Sequence, residues 1–442
     1  MQQIAALAVG LVLHDLPSST AAVVPAATSP AATASTEKFY ATTSDSGSKL
    51  PATEIYPNGR RLAFMGYSGE PARDLTNGFT VAGPVYGNQM PYLKNCFAHG
   101  WPVVAHVGPN ITFNDKAPNK YKLNEAALRA DVTRQVKELA PHAEIVWWAV
   151  HPEELRPWRK DEMRYLEILC DTIRTNDPAR RPIFLYNPNH RDAGSLAPVA
   201  RYLDVLGKGC YVNGTGKKND RVWVRWSIEQ EVRALKSAGR TNGIPLLMPE
   251  LSSNPARTEF AMIPAWVRHD VYLGMVSGAK GVLIWSLFRR SGVKESWPLW
   301  YNSYAQCARE LNGELALAQI FLFGEKKSAL HIQPALKNTD TTALPLGGNA
   351  ETNTTTEQER QTRAIQAKAW TAVEYAYMEA RWLFLINSSP KETSFTLDGW
   401  PAGSRAEQAF TGKTVALPAE GTLKLDLQPW GVAAIRFSAI KP

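Results

Sequence analysis

Gly243-Ile244-Pro245-Leu246-Leu247-Met248-Pro249-Glu250 opens on a chain-turning glycine, runs through a short apolar stretch and stops on a carboxylate. A run this short, without alternation and bounded by Gly and Pro, is the pattern of a strand buried on both faces. Such strands belong to parallel sheets, where helices cover both sides. A strand over 245–250 should therefore have neighbours of the same kind. Working outward, they are found at 204–212, 182–186, 144–150, 102–107, 79–85 and 61–67 before it, and at 281–288 after it. Helical spacings lie between them, with Leu128, Val132, Val136 and Leu139 within 123–139, and Met163, Leu166, Leu169 and Ile173 within 159–173. Segments 223–238 and 259–277 supply further helices, and Gly100-Trp101-Pro102 marks another junction.

Alternation of this kind over 61–324 argues for an α/β fold with crossover helices. Eight units in roughly 260 residues predict a (β/α)8 TIM barrel. An open doubly wound sheet is disfavoured, because neither GxGxxG nor GxxxxGK[ST] follows the first strand. Beyond Gly324 the pattern changes. Residues 337–363 are rich in Thr, Asn, Gly and Glu and read as a long exposed loop. Short alternating runs at 380–386, 393–397, 423–427 and 432–437, with 328–336 as a first strand, predict a small all-β sandwich. At the other end, Ile4 to Leu13 suits the apolar core of a signal peptide, and the Ala, Ser, Thr and Pro of 17–36 a disordered leader. The expected organisation is a leader over 1–37, a barrel over 38–325 and a sandwich over 326–442 carrying a flexible loop around 337–365. The expected location is secreted or periplasmic.

Composition narrows the function. The chain has 442 residues, a net charge of +8 spread along its length and 14 Trp. No basic arm, zinc-finger spacing or ribonucleoprotein motif is present, so nucleic acid is not an expected partner. No segment is apolar enough to span a membrane. Cys96, Cys170, Cys210 and Cys307 are far apart, with no CxxC, which argues against a zinc site; Cys170 and Cys307 read as buried free thiols. The eight His are dispersed without HxH, and the loop after 250 has no Gly-rich phosphate cradle. Neither a metal nor an organic cofactor is expected. Asn213-Gly214-Thr215 and Asn353-Thr354-Thr355 fit the glycosylation pattern.

In such a barrel the active site lies at the C-terminal ends of the strands. The fourth predicted strand, Ile145-Val146-Trp147-Trp148-Ala149-Val150, runs into His151-Pro152-Glu153-Glu154, and the seventh ends on Glu250. Carboxylates at these two ends face each other across the mouth. Two facing carboxyl groups suit glycosidic cleavage: one protonates the leaving oxygen, the other attacks the anomeric carbon or activates water. Trp147, Trp148 or Trp285 can supply the apolar wall that raises the acid's pKa. Strand-end candidates for binding sugar hydroxyls or stacking on rings are Tyr67, Tyr86, His106, Trp148, His190, Arg191, Tyr211 and Trp285. Arg289 and Arg290 read first as solvated loop charges; the alternative is that, with His190 and Arg191, they form a cationic rim for an anionic sugar.

On these residues the chain resembles the clan A glycoside hydrolases, barrel enzymes often followed by a β-sandwich. The resemblance is carried by the fourth strand end, the seventh strand end and Trp285 in Gly281-Val282-Leu283-Ile284-Trp285-Ser286. It implies a retaining hydrolase of poly- or oligosaccharides with Glu250 as nucleophile and an acid/base Glu after the fourth strand. The Asn that usually precedes that Glu is absent here. Counting from Trp148 without a gap puts the acid/base at Glu153, whereas one inserted residue puts it at Glu154. The competing reading is a catalytically inactive barrel that binds carbohydrate, with one carboxylate neutralised by an Arg.

Overall fold

The computed structural model describes residues 51–85, 87–153, 155–214, 221–334, 341–344, 365–400, 403–418 and 422–439. The leader, Tyr86, Glu154, Thr215 and the 353–355 sequon lie outside the described residues. The first half alternates β1 (Ala63–Gly66), α1 (Pro71–Thr76), α2 (Met90–His99), β2 (Val103–Val107), α3 (Glu125–Leu139), β3 (Ile145–Val150) and α4 (Lys160–Asn176). It continues with β4 (Ile183–Asn187), α5 (Ala193–Ala200), β5 (Val205–Cys210), α6 (Trp223–Ser237), β6 (Ile244–Pro249), α7 (Ile263–Ser277), β7 (Gly281–Ile284), α8 (Trp297–Asn312) and α9 (Ala318–Phe323). Side-chain caps start two of these helices: Asn124 accepts from Ala127 N at 3.1 Å and Asp192 from Ser195 N at 2.9 Å.

The strands form one parallel seven-stranded sheet, ordered β1-β7-β6-β5-β4-β3-β2. The second predicted strand, 79–85, is not a regular strand. Among the described residues only Ala82 bridges, to Val103. Yet this segment joins the two sheet edges and closes the ring. Thr80 and Val81 donate to Phe64 O at 3.0 and 3.4 Å, Ala82 N donates to Pro102 O at 2.8 Å, and Val104 N donates to Ala82 O at 3.1 Å. The irregularity has a physical cause. Thr80 Oγ1 takes a ladder position, accepting from Phe64 N at 2.9 Å and donating to Leu62 O at 2.7 Å. Gly83 then turns left-handed at φ 73°, and Pro84 has no N–H to give.

Pleat parity sorts the side chains. Ala63, Met65, Val104, Trp147, Ala149, Phe184, Tyr186, Val205, Leu246, Met248 and Leu283 fill the barrel interior. Their chain neighbours Val103, Trp148, Val150, Ile183, Leu185 and Leu206 face the helices, against Leu128, Leu166 and Leu169.

The C-terminal part comprises β8 (Glu325–Lys327), β9 (His331–Pro334), β10 (Thr341–Leu344), β11 (Ile365–Lys368), β12 (Trp370–Tyr377), β13 (Ala380–Asn387), β14 (Thr393–Asp398), β15 (Ser404–Gln408), β16 (Lys413–Val415), β17 (Leu423–Leu427) and β18 (Val432–Ala439). A six-stranded sheet, β16-β15-β18-β13-β12-β8, faces a three-stranded sheet, β17-β14-β9. The expected loop is corrected in one respect: 341–344 within it pairs antiparallel with 365–368. Alternation along β13 serves two cores. Leu383 and Leu385 pack between the sheets with Phe395, Leu397 and Ile435, while Phe384 and Ile386 join a core with Tyr272 of α7 and Phe321 of α9. Trp430, just before β18, holds a left-handed φ of 58°, which costs a residue with a side chain about 1–2 kcal/mol. It stays there 4% exposed, its ring centroid 5.7 Å from that of His269 in an edge-on contact.

Candidate active site

The interior parity of the strands brings His106 near the end of β2, Tyr186 near the end of β4 and, one residue past their strands, Tyr67, His151, Tyr211, Glu250 and Trp285 to the same rim. Room for the tyrosines comes from β5. A Cβ on Gly209 would lie 2.8 Å from the Tyr211 ring and 2.9 Å from Tyr186 Oη, so only glycine fits there.

Glu250 follows β6 and is 3% exposed. Its backbone bridges Trp285, because Trp285 N donates to Pro249 O at 2.8 Å and Leu251 N to Trp285 O at 2.6 Å. Adjacent strands thus set the carboxylate beside the indole. Asn213 N donates to Glu250 Oε1, and Gly214 N to Oε2 at 2.9 Å. A Cβ on Gly214 would approach Glu250 Oε2 to 2.8 Å, so the loop needs glycine for this approach. Tyr304 Oη donates to the backbone oxygen of Glu250 at 2.8 Å. Burial pushes the Glu250 carboxyl up to about 7, against the pull of the two amides and Arg221.

Trp285 is half-buried and ringed by tyrosines. Tyr67 meets it edge-on at 5.2 Å, and Tyr186 and Tyr211 lie tilted at 6.3 and 6.5 Å. Tyr211 Oη donates to Tyr186 Oη at 3.2 Å. Burial, Tyr186, Tyr67 and the charge of Glu153 push the Tyr211 hydroxyl well up, so it remains a donor. Glu153 follows β3 and also lines a cleft of about 300 Å³ with Thr112, Phe113, Asn114, Leu155 and Arg156. Tyr211 thus lies within the field of Glu153 and, at Gly214, beside the cradle of Glu250. Opposite, His106 stacks on His151 at 4.2 Å, and burial holds both rings neutral. Gln89 clamps the His106 backbone, accepting from its N at 2.8 Å and donating to its O at 2.7 Å. Among the described residues, neither ring nitrogen of His106 has a hydrogen-bond partner.

Of the residues expected at the site, Glu250, Glu153, Tyr67, His106, Tyr211 and Trp285 stand at this rim, whereas Tyr86 and Glu154 lie outside the described residues. Trp148 is a correction. It is fully buried on the helix-facing side, where Nε1 donates to Asp177 Oδ2 at 2.8 Å, so it offers no face to a ligand. His190 is half-buried, and burial with Arg191 and Lys208 pushes it down to about 4, leaving it neutral. Arg191 is 2% exposed. Neither presents an exposed charge. Arg289 lies over Trp297 at 4.3 Å and Arg290 over Trp285 at 5.8 Å. His151, Tyr186 and the 213–214 amides were not among the expected residues. Parity counted from Trp147 and Phe184 would have found the first two. The amides of Asn213 and Gly214 were visible only as a glycosylation pattern.

Among the described residues, no group of three or more His, Cys, Asp or Glu side chains gathers as a metal site. No helix there is long and apolar enough to cross a membrane. The four cysteines are buried and free.

The chain matches no protein-family model and no curated protein. Among solved structures it is similar to a maltogenic α-amylase of Thermotoga neapolitana, at TM-score 0.48 and 11% identity over 86% of this chain and 99% of that one. An Anoxybacillus α-amylase gives 0.47 and 10% over 84% and 89%. A GH30 endoxylanase of Clostridium papyrosolvens gives 0.45 and 11% over 86% and 97%.

Proposed function

We propose that this chain is a glycoside hydrolase acting on a poly- or oligosaccharide at the C-terminal mouth of its barrel. The observation that carries the reading is Glu250: a buried carboxyl at the rim, beside the half-buried face of Trp285, shifted to about 7 and held by two backbone amides. Glycosidic cleavage needs one carboxyl that attacks or activates water and one that protonates the leaving oxygen. Glu250 takes the first role. The amides of Asn213 and Gly214 favour its charged form and aim it, and a sugar ring stacked on Trp285 would present its anomeric carbon. A carboxyl of the Glu153–Glu154 pair takes the second role, with retention as the proposed outcome. Tyr67, His106 and Tyr211 supply hydrogen bonds to hydroxyls.

Among the described residues Glu250 is held by backbone amides and not capped by an arginine, which weighs against the inactive binding protein. The 1–37 leader, with export to the periplasm or outside, belongs to the same proposal.

The test is reducing-end release from a panel of neutral and anionic polysaccharides, with wild type beside Glu250→Gln. Hydrolysis that rises with pH through an apparent pKa near 7 is expected, because Glu250 must be ionised to attack. A profile falling through 7 would reverse the roles of the two carboxyls. Binding of a glycan without any cleavage would put the inactive reading in first place.

A further inference from the structure

A line of buried polar groups runs from the C-terminal sheet to the rim. It starts at Ser388, just after β13, whose Oγ lies 2.8 Å from His269 Nε2 on α7. His269 Nδ1 lies 2.8 Å from Asp270 Oδ1. Asp270 also accepts from Arg221 Nε at 3.0 Å and from Arg221 Nη2. Arg221 Nη1 donates to Asn213 Oδ1 at 2.8 Å, and Asn213 N donates to Glu250 Oε1. All four carriers are sealed from solvent, Ser388 at 2% exposed, His269 at 0%, Asp270 at 5% and Arg221 at 1%.

One proton arrangement satisfies every link. A carboxylate only accepts, so His269 Nδ1 carries its proton toward Asp270. Burial keeps His269 neutral, so Nε2 presents a lone pair and the Ser388 hydroxyl donates to it. For Asp270, burial works against ionisation, but Arg221 and His269 prevail and hold it below its ordinary value. The sheet adds a second hold on the same groups: Trp430 lies 6.0 Å from the Arg221 guanidinium, with Trp266 at 5.1 Å.

We propose that Ser388, His269, Asp270 and Arg221 are positioning residues for Glu250, so that the C-terminal sheet determines where the 213–214 amides hold that carboxylate. The functional meaning of this inference rests on the reading of Glu250 as the reacting carboxyl; the linkage itself does not. Among the described residues, the charged and titratable groups facing Glu250 are Arg221 ahead of α6, Asp270 on α7 and Tyr304 on α8, and the uncharged Trp285 lies on the β7 side. Those facing His269 are Asp270, Arg221 and Ser388.

The experiment is a pH titration of the intact chain, labelled with carboxyl ¹³C in glutamate and followed by NMR. Glu250→Gln identifies the signal, and wild type should titrate near 7. Ser388→Ala should move the Glu250 midpoint up by roughly half a unit, about threefold in its acid constant, and Ser388→Thr should restore it. Arg221→Met should move it up by about a unit or more, since it removes a favourable charge. Either variant decides the matter if the other does not fold. A folded Ser388→Ala or Arg221→Met whose Glu250 titrates as wild type would overturn the proposal. Reducing-end assays on the same samples separate the two ideas. A displaced titration in a protein that hydrolyses nothing supports the linkage and removes the hydrolase. An unmoved titration with hydrolysis lost in Glu250→Gln does the reverse.

Discussion

Glu250 and Lys208 have the same number and opposite meanings. Burial carries each to about 7, Glu250 upward from 4.5 and Lys208 downward from 10.5. Lys208 sits on the helix-facing parity of β5, where Nζ donates to Arg191 O at 2.7 Å and lies 3.9 Å from the Trp226 ring. Glu231 of α6 completes that cluster, accepting from Lys208 N at 3.0 Å and Leu246 N at 2.9 Å, and burial pushes its carboxyl well up. The Lys208 cluster ties strand to helix and strand to strand, with its polar atoms turned toward protein. Glu250 has the other parity and stands at the rim with Trp285. Of two equally displaced groups, only the one that the pleat turns toward the mouth is placed to meet a ligand.

That contrast can be broken in four ways. The largest effect is on turnover. Glu250→Gln should lower reducing-end release by about 10³- to 10⁴-fold with the fold intact, while Glu231→Gln should leave the rate per folded molecule unchanged. Equal losses in both variants, read beside circular-dichroism melts, would erase the distinction.

The next effect is on stability in base. Lys208 is protonated in the unfolded chain and largely neutral in the folded one between 7 and 10.5, so stability should rise with pH across that window. Wild type should gain about 4 kcal/mol on Lys208→Met between pH 7 and 10. Parallel denaturant midpoints over that range would refute it.

Glu250 has the opposite sign. Its folded value lies above its unfolded one, so its contribution is complete below 4.5 and is lost as pH rises through 7. The stability difference between wild type and Glu250→Gln should fall by about 3 kcal/mol from pH 4.5 to 7.5. Chemical denaturation at the two pH values measures this directly, and a difference that stays constant would mean Glu250 titrates normally.

The smallest effect is at Trp148. Trp148→Phe should cost about 1–2 kcal/mol in unfolding free energy through its lost bond to Asp177, with hydrolysis rates unchanged. A fall in rate would restore Trp148 to the site.

How far the sequence could be read follows from the same parity. The runs 145–150 and 244–249 were legible because strands buried on both faces are short, apolar and bounded by Gly and Pro. That uniform apolarity also hid which of Trp147 and Trp148 points inward, so Trp148 was expected at the mouth and lies under the helices. Segment 79–85 kept strand composition but lost strand geometry, because Thr80 Oγ1 and Pro84 replace the ladder groups. Glu250 and Trp285 were found by counting strand ends. The Ser388–His269 contact spans 119 residues and leaves no local pattern to read.

β13 has a consequence for how the molecule can be cut or recombined. Because Leu383 and Leu385 face one core and Phe384 and Ile386 another, each residue of the strand answers to a different half of the chain. A boundary near 325 divides the sequence but not this packing. Grafting a foreign C-terminal module onto the barrel would have to match the surfaces of α7 and α9 as closely as it matched itself. Truncation at that point would leave Tyr272 and Phe321 facing water, an adhesive patch where a sheet had been.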